Sequence, residues 1–227
     1  MKIKHKDDIC VIGTGRFGSA IISQLLKMDK SVFILDKEEK SAQVFSDEVQ
    51  RIVIADAADM RVLKSLEIDQ FETVVVAVAD NIEIVAALLE LKIKNIIARA
   101  TSKRHARVLK QIGVHVIIRP EQESGIRTAL IAANDNFIKY SNNLQELDGG
   151  FVLGTTIIRN PKIIGIPLKN LSFNDRGISV VLIKRGSTSM RATGDVVLKE
   201  HDLVTLIGDV RDITDALGWC NDTSVQK

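Results

Sequence analysis

The stretch ICVIGTGRFGSAIISQLL, residues 9–26, decides the fold. Its first four residues are apolar and have strand length, and a helical pattern follows from Arg16 onward. Between them lies Gly13-Thr14-Gly15-Arg16-Phe17-Gly18. A strand, a G-x-G-x-x-G turn and a helix open a dinucleotide-binding fold. Gly13 allows the tight turn, Gly15 lets a phosphate approach the backbone, and Gly18 lets the helix pack on the sheet. The helix N-terminus supplies oriented N–H groups and a partial positive charge. The acid this motif needs at the end of the next strand is Asp36, placed to accept hydrogen bonds from both ribose hydroxyls. Arg16 is out of keeping with a dehydrogenase, whose glycine turn presses against a pyrophosphate. A long cation there calls for an anion beyond the first phosphates.

Working outward, apolar runs alternate with helical patterns as far as Pro120. The strands read ICVIG, SVFILD, RIVIAD, TVVVAVA, NIIARA and VHVIIR; the helices read RFGSAIISQLLKM, EEKSAQVFSD, ADMRVLKSLE, NIEIVAALLELK and SKRHARVLKQIG. Val- and Ile-rich strands without clear alternation suit a parallel sheet covered on both faces. Regular βα alternation predicts an α/β, Rossmann-like doubly wound sheet. EQESGIRTALIAANDNFIKY then reads as one helix with an early break, and SNNLQELDGG as a polar linker. From Phe151 the pattern is α+β: strands FVLGTTIIR, GISVVLIKR and DLVTLIGD, turns at Asn160-Pro161, Gly186-Ser187 and 193–195, and a closing helix VRDITDALGW. The expected domains are residues 1–141 and 142–227, with a polar tail NDTSVQK at the end.

The 227 residues carry a net charge of +2, and no strong basic stripe marks a nucleic-acid binder. Cys10 and Cys220 follow no metal-ligand spacing and imply no disulfide framework, which suits a reducing cytosol. The apolar runs have strand length, and the basic start MKIKHKDD is followed by too short an apolar segment for a signal peptide or a membrane span, so a soluble chain is expected. The KIKHK segment reads as a solvated tail.

Asp56, after the third strand in IADAAD, lies over the adenine end of a bound nucleotide; its other role would be to cap the helix starting near Asp59. Ala57 beside it and Ala77 at the end of the fourth strand complete the candidate nucleotide-binding set. No residues are assigned a catalytic role. A dehydrogenase needs a proton donor over the nicotinamide, and none of His5, His105, His115 and His201 is placed for it. A redox-sensing transcription factor needs a helix-turn-helix, and none is visible. Without a Walker-type GKS/T, nucleotide reads as a ligand and not a substrate.

VIGTGRFGSA, IADAAD, VVVAVADN, KRHARVLKQIGVHVIIRPEQESG and IIGIPLKNL…RGISVVLIKR…DLVTLIGD together resemble the regulator-of-potassium-conductance (RCK, or KTN) family. More narrowly, they resemble the peripheral regulatory subunits of bacterial Ktr and Trk potassium uptake systems. The resemblance covers nearly the whole chain. It implies an N-domain that binds ATP or ADP, with NAD or NADH in some members, and a homodimer that assembles into an octameric ring. The ring docks at the inner face of the cell membrane under a potassium-conducting subunit and gates it. It implies nucleotide contacts at Gly13, Gly15, Arg16, Phe17, Gly18 and Asp36, with Arg99 near the phosphates where the family often has Lys. It implies a divalent cation, Mg²⁺ or Ca²⁺, held beside ATP by Glu121. The apolar stripe Ile126, Leu130, Ile131, Ala133, Phe137 and Ile138 would then serve crossover exchange between protomers, the other use being packing within its own domain. Some members bind cyclic di-AMP at the C-terminal domain; here the arginine of that pattern is absent or shifted to Arg176 and a later proline is missing, which leaves this ligand open.

Overall fold

Six strands, β1 (Ile9–Ile12), β2 (Val32–Asp36), β3 (Arg51–Ile54), β4 (Thr73–Val76), β5 (Asn95–Arg99) and β6 (Val116–Ile118), form a parallel sheet in the order β3-β2-β1-β4-β5-β6. The computed structural model describes residues 9–49, 51–140 and 143–224. The KIKHK segment with His5 and the last tail residues lie outside them. Helices α1 (Arg16–Lys27), α2 (Glu39–Ala42), α3 (Met60–Ser65), α4 (Ile82–Glu90) and α5 (Lys103–Ile112) connect the strands.

Alternate strand residues feed two separate cores. Cys10, Ile12, Phe33, Leu35, Val74 and Val76 pack with Leu63 of α3, Val85 and Leu88 of α4 and Leu109 of α5. Val11, Val32, Ile34 and Val75 pack on the other side with Ile22 of α1 and Phe45. Both faces of the central strands are dry, which is why they read as unbroken apolar runs. Each fully buried Val, Leu or Ile contributes roughly 1.5–3 kcal/mol. The chain winds outward from β1 to β3, then returns to place β4 against β1. That reversal leaves a crevice at the carboxyl ends of β1 and β4. The second expected helix is shorter than its pattern: α2 passes into a 3-10 turn at Gln43–Phe45.

The chain divides into compact units at residues 1–122 and 123–227, ahead of the expected 141/142 division. The reason lies in α6 (Pro120–Ala132) and α7 (Asp135–Tyr140). Leu130, Ile131, Phe137 and Tyr140 join the core of the second unit. The break between these helices comes late, at Ala133 and Asn134, where the Asn134 side chain accepts from Asn136 N and donates to Thr214 Oγ1 at 2.8 Å.

The second unit is a five-stranded antiparallel sheet of β7 (Asn143–Glu146), β8 (Phe151–Ile157), β9 (Ser179–Arg185), β10 (Thr188–Arg191) and β11 (Leu203–Asp209), ordered β10-β9-β11-β8-β7. α8 (Val210–Asn221) closes it, capped by Asp209. The expected linker is in part an edge strand: β7 pairs with β8 from Asn143↔Thr155 to Glu146↔Val152. Its one apolar residue, Leu144, is buried, and three polar neighbours hide it from a hydrophobicity pattern. β10, also unexpected, completes a hairpin around the expected turn, where Gly186 has φ +60°.

Cys10 in β1 and Cys220 in α8 are both free and buried. Burial pushes the Cys220 thiol up to about 12 and the Cys10 thiol higher still. Among the described residues, no helix is long and apolar enough to cross a membrane.

Candidate functional site

The three glycines of the turn have different reasons to be glycine. Gly13 has φ +96°, and a Cβ there would lie 2.4 Å from Val78 Cγ1. A Cβ on Gly18 would come within 1.9 Å of the Gly13 carbonyl oxygen. The fold itself excludes side chains at both. Gly15 has an ordinary φ of −61°, and a Cβ there would meet no atom within 4 Å. Nothing in the protein requires its bareness. Gly15 is also the N-cap of α1 and offers no side chain to the free N–H groups of the first turn, which contains no acid. That end of the helix is electropositive and open.

Asp36 ends β2 and is 8% exposed. Its Oδ2 accepts from both the backbone N and the hydroxyl of Thr14, and its Oδ1 accepts from Glu38 N at 2.9 Å. The carboxylate therefore fixes the glycine turn to the end of β2 and is itself held rigid. The Thr14 hydroxyl also lies 2.8 Å from Ser41 Oγ. Asp56 accepts from Ala58 N at 2.9 Å through Oδ1, bracing the turn after β3. The helix cap falls to Asp59, which accepts from Arg61 N.

Asp36, Asp56, Ala57, Ala77, Gly13, Gly15 and Arg99 all line one cleft of about 460 Å³ at the carboxyl ends of the strands. That size lies within the range of small-molecule sites. Arg16, Phe17 and Gly18 do not line it: Arg16 is exposed at the start of α1, Phe17 is half-buried, and Gly18 packs beneath the turn. Arg99 ends β5 and donates through Nη2 to Oε1 of Glu121, in the first turn of α6. The Glu121 carboxyl is held below its ordinary value by its own backbone N–H, with Arg99 and Arg16 adding to this against partial desolvation.

Behind the cleft, Asn81 is 1% exposed and donates to two carbonyls, Val78 O at 2.9 Å and Arg99 O at 2.8 Å. It ties together two walls of the site. Its Oδ1 faces His105 Nε2 at 3.1 Å, while Thr101 N donates to His105 Nδ1. A backbone N–H can only donate, so this bonding assigns the proton of neutral His105 to Nε2.

Residues 9–120 match the TrkA-N domain family, and residues 154–219 match the TrkA-C domain family. The Ktr system potassium uptake protein A of Bacillus subtilis (strain 168) is 30% identical over 217 residues, covering 93% of this chain and 96% of that protein. The Ktr system potassium uptake protein C of the same organism is 31% identical over 215 residues, covering 92% and 95%. The chain belongs to this TrkA-N/TrkA-C, or RCK, family. Among solved structures, the GsuK channel bound to NAD matches with a TM-score of 0.63 at 16% identity. The match covers 100% of this chain and 41% of that one, so this chain spans less than half of that channel's length.

The TrkA-N match contains every residue of the cleft, and Glu121 lies one position past it. Sequence reasoning passed over Thr14, Ser41 and Asn81, and weighed His105 only as a proton donor. The signal for Asn81 was its position: VADN follows β4 as GTGR follows β1, and a polar residue opening a helix at the switch point is placed to bind backbone. His105 gave no signal, since its partners come from the β4–α4 and β5–α5 connections. Among the described residues, no group of three or more His, Cys, Asp or Glu side chains could hold a metal ion. Glu121 is paired with a cation instead. In the TrkA-C part, the Arg176 guanidinium lies 4.4 Å from the centroid of the Trp219 ring.

Proposed function

We propose that this chain is the regulatory subunit of a Ktr- or Trk-type potassium uptake system. It binds ATP or ADP in the cleft and controls a membrane potassium-conducting subunit from the cytoplasmic side. The two Ktr relatives, matched over more than nine-tenths of their length, support the potassium role. The observation that carries the nucleotide reading is Gly15. A position that the fold leaves free is bare where a phosphate would meet the α1 N-terminus. Asp36 would take the ribose hydroxyls through the acceptor capacity that Thr14 and Glu38 leave on Oδ1, and Asp56 Oδ2 the adenine amine. Arg16 and Arg99 would meet the later phosphates, and Phe17 would flank them. A hard divalent cation fits between polyphosphate oxygens and Glu121, which supplies a single carboxylate. NAD is a second ligand for the same cleft. Two copies exchange α6 and α7 into a dimer and four dimers form the ring. In support, no residue of α6 is fully buried in the single chain, although Leu130, Ile131 and Phe137 pack on the second core, and Ile126 and Ile138 are 37% and 60% exposed. The ring reaches the membrane through its partner.

The test is a Gly15→Ala variant with a thermal-shift panel of ATP, ADP, NAD, NADH and cyclic di-AMP. A ligand that binds only the folded state raises the midpoint, by about 2.7 kcal/mol of stabilisation at a hundred times its Kd. Gly15→Ala should cost about 0.5–1 kcal/mol without ligand: its methyl meets no atom within 4 Å, but alanine is a poorer N-cap than glycine. It should weaken ATP and ADP roughly tenfold or more, about 1.4 kcal/mol. Wild-type-like nucleotide binding by this variant refutes the reading.

A further inference from the structure

Arg99 combines two features that a finished structural ion pair does not. One Nη donates to Glu121, yet Nε is buried with no hydrogen-bond partner among the described residues. A buried donor left without an acceptor is costly until something accepts from it. The two partners are also unequally held. The Arg99 side chain is 23% exposed and lines the cleft, whereas the Glu121 side chain is 60% exposed. Glu121 can turn into water at small cost; the guanidinium stays where the strand end puts it. Arg16 also acts on the Glu121 carboxyl, so this acid sits in the field of both arginines.

We propose that Glu121 is an internal competitor for Arg99, displaced by a nucleotide phosphate, and that only the displaced carboxylate is free to hold a cation. The proposal rests on the reading of the cleft as an adenine-nucleotide site. A phosphate carries more charge than a carboxylate and can accept from two N–H groups of the fork, including the Nε that Glu121 leaves unused. Once released, Glu121 stands beside the phosphate that replaced it. Two anions so placed favour a hard divalent ion between them. Binding is therefore ordered, nucleotide first and cation second. Without nucleotide, the acid is occupied by Arg99 and no three-carboxylate site substitutes for it among the described residues.

The order gives Glu121→Gln opposite effects in two buffers. ADP and ATP are titrated calorimetrically into full-length wild type, E121Q, R99Q and the double variant, first in EDTA and then with excess Mg²⁺. In EDTA, E121Q should bind ADP about two- to fivefold more tightly than wild type, the range for removing one partner of an exposed ion pair. This gain should vanish in the R99Q background, and Mg²⁺ should tighten ATP binding in wild type but not in E121Q. Unchanged or weaker ADP binding by E121Q in EDTA overturns the proposal while leaving the nucleotide site standing. So does a gain that persists without Arg99. A wild type that binds neither nucleotide overturns both readings. Matching ligand-free urea curves for E121Q and wild type establish that the comparison is between folded proteins.

Discussion

Each unit contains an arginine–carboxylate pair that sequence alone cannot tell apart. In the C-terminal unit, Asp202 is fully buried and accepts from Arg185 Nε and Nη2, both at 2.7 Å, and from Lys199 N at 2.8 Å. Arg185 Nη2 also donates to Val197 O at 2.9 Å. That pair is closed: the carboxylate has three donors, and the guanidinium uses Nε and both N–H groups of Nη2 on the carboxylate and a backbone carbonyl. In the N-terminal unit, Arg99 and Glu121 share one contact, with an exposed acid and an idle Nε. The closed pair holds two turns of a small domain. The open one sits at the mouth of a cleft. What separates a pair that serves the fold from one available to a ligand is whether its donors are already satisfied.

Breaking the closed pair should give the largest effect. Asp202→Asn leaves Arg185 without its counter-charge, and the expected loss is about 3 kcal/mol, at the low end for a buried pair because Arg185 is partly exposed. Fluorescence of Trp219, the single tryptophan, reads this in urea. Burial pushes the Asp202 pKa up, but the Arg185 guanidinium and Lys199 N–H outweigh it, and the value lies below the ordinary carboxylate range. Stability from the pair is thus fully present above the unfolded value, about 3.9, and is lost as pH falls through the lower folded value. Asp202→Asn should flatten that acid limb; an unaltered limb would mean that Asp202 does not cause it.

Asn81 sharpens the comparison, because it is a closed polar group inside the N-terminal unit. Asn81→Ala removes donors from two carbonyls and leaves His105 Nε2 unpaired. It should cost about 2 kcal/mol and speed amide exchange in β4 and β5. Nucleotide affinity should fall with it, since Val78 and Arg99 line the cleft. Wild-type exchange rates in the variant would show that the clamp is idle. Arg16 is the other extreme. Arg16→Ala should change ligand-free stability by less than about 0.5 kcal/mol. Yet it should lower the ATP-to-ADP affinity ratio by about 1–3 kcal/mol, and potassium uptake should then stop following that ratio. Paired titrations check this: an unchanged ratio removes Arg16 as the discriminator.

The two units also differ in how far their sequences could be read. The central parallel strands were legible because both faces are buried, so VFIL of β2 and the three valines of β4 had to be apolar, while the edge strands β3 and β6 were legible from their Ile and Val alone, since they are partly exposed. The glycine turn and Asp36 were legible because their spacing is set by backbone geometry within one βαβ unit. In the antiparallel unit, β7 needs only Leu144 inside, and Thr188 to Arg191 make an outer hairpin strand with Met190 as its one apolar side chain. One-sided burial leaves too thin a pattern. Within the site, the roles of Asn81 and His105 were missed because each has a partner on another βα connection, Arg99 O for Asn81 and Asn81 Oδ1 for His105, and no local spacing encodes a bond across strands.

The two cysteines supply one chemical clock for each unit. Cys10 lies in the middle of the parallel sheet and Cys220 in the last helix, each shut off from solvent. A thiol reagent can reach either only when the surrounding structure opens, and burial further suppresses the thiolate that would react. Modification at each position, followed by mass spectrometry, therefore times the opening of one unit separately from the other. Adding ATP or ADP should slow the Cys10 clock directly. Any slowing at Cys220 would measure, in the same tube, how much of the nucleotide's stabilisation reaches the C-terminal unit.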